Sequence, residues 1–133
     1  MLRVDQGLTN LFINSSFGIG IAHENAKYTP ILGTAYAKIY TIPNDQTAFS
    51  CDSDQTDGIF RIILRYPLQS GAIVAKAMAD TIFAVFKVGS YIYYPDTTGQ
   101  KIEITGLSRD TGYHETGWYK LVLSIRYNAF IRR

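Results

Sequence analysis

The residues most able to do chemistry in this sequence are two histidines, His23 and His114, each followed by a glutamate. A zinc-protease motif begins in this way and needs a second histidine four residues after the first. Lys27 and Trp118 stand at those positions. A zinc site made of thiolates needs several cysteines, and the sequence contains only Cys51. The sequence therefore predicts no metal site, and both histidines are expected as polar residues of loops or strand ends.

Three aspartates also suggest a calcium-binding loop, because Asp52, Asp54 and Asp57 are followed by a glycine. In such a loop a glycine makes the sharp turn at the sixth position, and a glutamate at the twelfth binds calcium with both oxygens. Here the glycine comes one residue late and Ile63 takes the place of the glutamate. The aspartates are therefore predicted to favour turns in a solvated loop.

Two further motifs are incomplete. Gly18 and Gly20 match half of a dinucleotide-binding fingerprint, but His23 stands where the third glycine belongs and no βαβ unit follows. Cys51 has no histidine near it in the sequence, so an inert thiol is expected there and not a nucleophile. We therefore predict no catalytic residue, no cofactor and no enzymatic reaction.

Three arginines alternate with apolar residues in predicted strands. Arg61 and Arg65 share one face of a strand, and Arg126 lies on the polar face of the last strand. They are either ordinary solvated residues or part of a surface that faces DNA. A phosphate-binding groove needs more positive charge on one surface than a chain with a net charge of +2 suggests. Several copies would supply it by pooling their arginines around an axis, so the three are kept as candidates for a lumen or DNA-facing surface.

One aromatic residue of a predicted helix falls on an unexpected face. With about 100° between successive residues, the apolar stripe of this helix is predicted to face the sheet. Phe83 falls on the opposite side, among Lys76, Asp80 and Lys87. Either the same chain or a second subunit covers Phe83, which makes Phe83, Lys76 and Lys87 candidate interface residues. The predicted stripe consists of Val74, Ala77, Met78, Thr81 and Val85, with Ile82 at its margin.

Three tyrosines follow the same helix, at Tyr91, Tyr93 and Tyr94. They are either half-buried strand residues whose hydroxyl groups reach water, or a contact patch for a protein or for stacked bases. We keep all three as candidates for a subunit or partner interface.

The composition is that of a globular protein. The chain has 133 residues, of which 47% are hydrophobic and 18% are charged, which predicts a single domain over residues 1–133. The first ten residues contain an acid and several polar groups where a signal peptide needs an apolar run. The longest apolar stretch, 72–88, is too short and too charged to span a bilayer. We therefore expect no contact with a membrane.

The elements that must position these candidates are predicted in the order helix, three strands, helix, three strands. This order predicts an α+β fold, with a mainly antiparallel β-sheet flanked by helices on one face. A long polar loop is expected at 43–57 and a second loop at 106–117. Gly89 is expected to end the second helix in a left-handed conformation. The predicted helices lie at 4–14 and from Ser70 towards Gly89, and the strands at 17–22, 35–42, 58–66, 91–94, 101–105 and 118–130.

A series of short motifs occurs in a defined order over about residues 20–127. They are Ile21–Asn25 with Tyr28–Pro30, then Tyr36–Pro43, Gly58–Ile62 running to Tyr66–Pro67, Gly71 with the alanine-rich helix, Phe86 and Gly89, and Gly117–Tyr119 leading into Ser124–Tyr127. In order and spacing this set resembles the tail terminator, or tail completion, proteins of long-tailed bacteriophages. The sequence departs from that family in two places: His23 stands where a tryptophan is usual, and the predicted first helix is shorter.

The resemblance implies a structural virion protein without enzymatic activity, assembled in the host cytoplasm. Such proteins form a ring, expected to be a homohexamer, that caps the tail tube, ends its polymerisation and presents a surface to the head. The implied partners are further copies of the chain, the tail tube protein and the head–tail connector protein, with DNA passing transiently through the lumen. A head–tail adaptor or other minor tail protein is one alternative. A small nucleic-acid-binding module that uses the tyrosines and strand arginines is an alternative of another class.

Overall fold

The computed structural model describes residues 2–15, 19–22, 34–48, 53–67, 71–93, 101–115 and 117–132. These residues form two helices and seven strands. In chain order they are α1 (Leu2–Asn14), β1 (Gly20–Ala22), β2 (Tyr36–Ala48), β3 (Ser53–Pro67), α2 (Gly71–Val85), β4 (Tyr91–Tyr93), β5 (Lys101–Arg109), β6 (Tyr113–Glu115) and β7 (Trp118–Arg132).

The described strands form one sheet in the order β1-β2-β3-β7-β5-β4, and β6 pairs with the start of β7. The central strand is β7, which pairs with β3 along one edge and with β5 and β6 along the other. All pairings are antiparallel except that of β1 with β2. The predicted mainly antiparallel sheet is therefore confirmed, with one parallel pair at its edge.

Alternation along β3 and β7 separates the core from the opposite face of the sheet. Phe60, Ile62 and Leu64 are fully buried. Arg61, between the first two, and Arg65, directly after the third, are only half-buried. Successive side chains of a strand point to opposite faces, so the arginines lie away from the core. The same alternation buries Tyr119, Leu121, Leu123, Ile125 and Tyr127 of β7.

Both helices contribute side chains to this core. The ring centroid of Phe60 lies 6.5 Å from that of Phe12 in α1 and 5.9 Å from that of Phe86, directly after α2. Leu8 of α1 and Ile82 of α2 belong to the same buried cluster. That both helices flank one face of the sheet over their whole length stays a prediction. No helix in the described ranges is long and apolar enough to cross a membrane.

The prediction of a polar loop at 43–57 is wrong. β2 continues to Ala48 and β3 already begins at Ser53, so most of the segment is paired strand. The pairing of β2 with β3 shifts its register between Pro43 and Gln46. Proline has no N–H group to donate to a neighbouring strand and is usual at such irregularities. Every residue of β3 also has a partner in β7. This long-range pairing outweighs the local turn preference of the polar residues.

The predicted loop at 106–117 is also partly wrong, since β5 continues to Arg109 and β6 lies within the segment. Gly89 has the expected positive φ of 85°, but α2 already ends at Val85. The N–H of Gly89 donates to the carbonyl oxygen of Ile104, with 2.8 Å between the two atoms. The glycine therefore joins the chain after α2 to the edge of β5 and does not cap the helix.

The predicted buried stripe of α2 is largely wrong. The residues of α2 that face the core are Ala75, Ala79 and Ile82, all fully buried. Small alanine side chains let a helix backbone come close to a sheet, whereas the sequence pattern favoured the larger apolar residues. Of the predicted stripe, Val74, Ala77 and Thr81 are exposed, and Met78 and Val85 are half-buried.

Candidate interaction surfaces

The arginines singled out in the sequence share one face of the sheet. Arg61 and Arg65 alternate with the buried residues of β3, and Arg126 alternates with those of β7. Strand pairing adds Lys38 of β2 and Lys120 of β7 to the same face. We call this face, opposite the core, the outer face. It brings together five basic side chains from three neighbouring strands.

A continuous row of polar side chains crosses the outer face over four strands. Tyr40 of β2 is the register partner of Arg61 in β3, and Arg61 is the partner of Ser124 in β7. Ser124 is in turn the partner of Ser108 in β5. Ser108 is exposed and the other three are half-buried. We call these four residues the central polar row.

One exposed cation lies on each side of this row. Lys38 comes two residues before Tyr40 in β2, and Arg126 comes two residues after Ser124 in β7. A Cβ atom added at Gly106 would lie 3.5 Å from Cδ of Arg126. The aliphatic part of Arg126 therefore lies over a strand position that has no side chain.

The outer face is more enclosed on the far side of Lys38. Tyr36 is buried, and its ring meets that of Trp118 edge-on with 5.3 Å between the centroids. Arg65 and Lys120 are register partners beside this aromatic pair, and both are half-buried. The accessible part of the outer face therefore includes the central polar row with Lys38 and Arg126, together with the exposed residues Ile42, Asp57 and Tyr91.

Three of the five cations of the outer face have no acidic partner among the described residues. Within the described ranges, Lys38, Arg61 and Arg126 form no ion pair. The Nε atom of Arg61 is buried and has no hydrogen-bond acceptor there. The acidic residues Asp57 and Glu103 lie one row beyond Arg126. The outer face thus concentrates positive charge that the net charge of +2 does not reveal.

A second surface lies on the solvent side of α2. Ile73 is 83% exposed and Val74 is 46% exposed, while Val88, just after the helix, is 60% exposed. Ala77 and Ala84 are exposed along the same side. We call these five residues the α2 patch. An apolar strip on the solvent side of a surface helix is typical of a contact with another molecule.

The structure divides the predicted interface residues into two groups. Lys76 and Lys87 are exposed beside the α2 patch, and Tyr91 is 45% exposed. Phe83, which was predicted on the charged side of the helix, is half-buried and packs against the core cluster. Its own chain therefore covers much of this ring, because the helix is rotated relative to the predicted stripe. Tyr93 belongs to β4, and Tyr94 lies outside the described residues.

The described residues of the incomplete metal motifs do not come together in one place. His114 is exposed, and its ring centroid lies 5.9 Å from that of Tyr119. Asp54 and Asp57 belong to strand β3 and not to a loop. No group of three or more histidine, cysteine or acidic residues in the described ranges is placed to hold a metal ion. His23, Cys51, Asp52 and Gly18 lie outside those ranges.

Sequence reasoning missed Lys38, the central polar row and the α2 patch. The face on which Lys38 lies could be predicted, because Lys38 alternates with Ala37 and Ile39 in a predicted strand. The row that joins Tyr40 to Ser108 depends on the register of four strands, which no local pattern determines.

Comparison with known proteins identifies a family for most of the chain. A family model described as phage tail terminator protein matches residues 8–127. The fold is similar to that of a solved structure of no stated function, with a TM-score of 0.69 and 19% sequence identity, over 93% of this chain and 88% of that one. At this identity the likeness supports the fold alone. No curated protein matches the chain significantly.

Proposed function

Because the chain belongs to the phage tail terminator family, we propose that it is the structural protein that caps the tail tube of its phage. Six copies form a closed ring at the end of the tube, end its polymerisation and provide the surface to which the head attaches. The partners are further copies of the chain, the tail tube protein and the head–tail connector protein. No membrane takes part, and the chain catalyses no reaction.

The observation that carries this proposal is the α2 patch. A closed ring needs contacts between two different surfaces of neighbouring copies, related by a rotation. The centre of such a contact is usually apolar and its rim is polar. Ile73 and Val74 are the most exposed apolar side chains of α2 and form the proposed centre. Lys76 and Lys87 form the rim in place of the half-buried Phe83. Tyr91 is the register partner of Glu103 and therefore lies on the outer face, away from this contact.

In the proposed ring, the outer face lies on the side of each subunit that is opposite the α2 patch. Ala75, Ala79 and Ile82 of α2 lie in the core cluster, whereas Arg61 and Arg126 lie on the other side of the sheet. We propose that the second surface of each ring contact lies away from the outer face, so that this face stays free. We place Arg61, Arg65 and Arg126 towards the lumen, where DNA passes.

The test is complementation of a phage that lacks this protein. Without the protein we expect overlong tails that carry no head, measured by negative-stain electron microscopy. The Ile73→Asp variant should leave tails overlong, because a carboxylate would be buried without a partner in the interface. Ile13→Asp is the matched control, since Ile13 is an exposed isoleucine of the other helix, and it should restore normal length. Circular dichroism shows whether both variants are folded.

Two outcomes contradict different parts of the proposal. Tails of normal length in the absence of the protein contradict the capping function. Normal tails with folded Ile73→Asp contradict the α2 patch as the ring interface and leave capping intact.

The outer face also favours a second candidate function, a nucleic-acid-binding module. Such a module would use the basic side chains of the described sheet and would not determine tail length. The complementation experiment separates the two candidates, because loss of a module that only binds nucleic acid leaves tail length unchanged.

A further inference from the structure

We propose that the outer face binds the phosphate backbone of double-stranded DNA through the central polar row together with Lys38 and Arg126. The inference rests on the proposed function only for the direction in which this face points in the ring. The affinity of a single chain for a duplex follows from the sheet itself and does not need the ring.

The first argument is the arrangement of the donors. The central polar row places a phenol, a guanidinium and two hydroxyl groups in adjacent strands. Strands lie about 4.8 Å apart, so the row extends about 14 Å across the sheet. Hydroxyl, guanidinium and ammonium groups are the side-chain donors that contact phosphate oxygens in protein–DNA complexes. These contacts carry no sequence information, so binding is expected to be independent of base sequence.

The second argument is the placement of the cations. Lys38, Arg61 and Arg126 lie in three adjacent strands, each one row further along the sheet. With about 3.4 Å between residues along a strand, their Cα atoms follow a diagonal with steps of roughly 8 Å. Duplex DNA carries one negative charge for about every 1.7 Å of its axis, so a diagonal of this length meets several phosphates.

The third argument is the unmatched charge of Arg61. It forms no ion pair within the described ranges. An anionic oxygen from a ligand would therefore make a charge-assisted hydrogen bond with its guanidinium without displacing a carboxylate. Because Arg61 is half-buried and lies in the middle of the row, a phosphate bound there would contact the hydroxyl groups beside it.

Duplex DNA fits this face better than an acidic protein does. Stable protein interfaces depend on a few large apolar or aromatic side chains that enter pockets. On the outer face the exposed residues in and beside the row are Lys38, Ser108, Arg126 and Ile42. Ile42 is less exposed than Ile73, Val74 and Val88 of the α2 patch on the other side. A surface of separate cations and hydroxyl groups is typical of backbone contact with nucleic acid.

The experiment measures the anisotropy of a fluorescent 20-base-pair duplex with the dilute chain at several KCl concentrations. We expect weak binding, with a dissociation constant on the order of 10⁻⁴ M at low salt, and a slope of log affinity against log salt near −3. Arg126→Gln should make this slope less steep by about 1 and weaken binding roughly 3- to 10-fold, because one phosphate contact is lost. Arg61→Gln should act in the same way.

Arg109→Gln is the matched control. Arg109 is also an exposed arginine of the sheet, but it lies 3.7 Å from a carboxylate oxygen of Asp80 in α2, away from the outer face. Its loss should leave the salt slope unchanged, although the change in net charge is the same. Equal effects of Arg109→Gln and Arg126→Gln would show a general charge effect and overturn the proposal.

Two other results also overturn it. One is the absence of salt-dependent binding to the duplex. The other is tighter binding of polyglutamate than of the duplex at the same ionic strength, since that result assigns the face to an acidic protein. Neither result affects the tail-length experiment, and normal tail length in the absence of the protein would not affect the anisotropy. Failure of this inference and failure of the capping function are therefore distinguishable.

Discussion

Gly58 lies in β3 at a position where the neighbouring atoms leave no room for a side chain. A Cβ atom there would lie 2.5 Å from the backbone oxygen of Ile42 and 2.7 Å from the hydroxyl oxygen of Tyr127. The Ile42 oxygen belongs to a paired strand and cannot move without disturbing the register. We expect Gly58→Ala to lower the free energy of unfolding by about 1–3 kcal/mol in urea denaturation.

Gly106→Ala is the control for this prediction. The added Cβ would meet Arg126 at an ordinary contact distance of 3.5 Å, so the expected loss is less than about 1 kcal/mol. Similar losses for the two variants would mean that crowding is not the reason why a glycine occupies position 58.

Tyr66 makes stability depend on pH in the alkaline range. It lies on the core side of β3, and burial raises the pKa of its hydroxyl above 10.0. The unfolded chain therefore loses this proton at a lower pH than the folded chain does. The stabilisation is complete below about pH 10 and is lost as pH rises through the pKa of the folded state.

Tyr66→Phe removes this titration. In denaturation series from about pH 9 to pH 11.5, the variant should lose less stability than the unchanged chain. Parallel losses in the two proteins would contradict a raised pKa at this residue.

At the scale of the elements, α2 depends on small side chains where it meets the sheet. Ala79 is fully buried there, whereas Ala77 is exposed on the same helix. Alanine and leucine have similar helix propensities, so the two positions differ chiefly in available space. We expect Ala79→Leu to cost about 1–3 kcal/mol and Ala77→Leu to stay within about 0.5 kcal/mol, measured by thermal denaturation. Equal effects would contradict the observed orientation of α2.

The same helix shows why its buried face was not predictable from the sequence. Apolar residues occur on all sides of α2, including Ile73 and Val74 on the solvent side. When apolar residues extend around a helix in this way, the identity of the buried face depends on the shape of the sheet. Ala75 and Ala79 fit that shape, and the spacing of apolar residues along the helix does not indicate that these two are buried.

The strands show both the success and the limit of sequence patterns. Alternation around Arg61 and around Ser124 was sufficient to predict β3 from Gly58 onwards, most of β7 and the face that holds the arginines. The strand residues beyond Pro43 were predicted as a loop, because their types favour turns and because the β7 partners of the β3 residues among them are distant in sequence. The central polar row was unpredictable for the same reason, since it depends on register.

At the scale of the whole molecule, β7 joins the two parts of the sheet. All fifteen residues of β3 pair with it, whereas β1 and β4 at the sheet edges contain three residues each. Local opening costs least where few contacts must break. We expect native-state amide hydrogen exchange to be at least about 10-fold slower at 60–64 and 121–125 than at 20–22 and 91–93. Similar rates in these segments would contradict a central role of β7 in stability.

The central position of β7 also affects how the protein is made. A ribosome produces β7 after the other described strands, although β7 lies between β3 and β5 in space. Until β7 emerges, the nascent chain holds β3 with one edge open, and an open edge is a site where strands of other chains pair wrongly. The number of correctly folded molecules in a cell that makes many copies at once should therefore depend on how well this edge is shielded during translation.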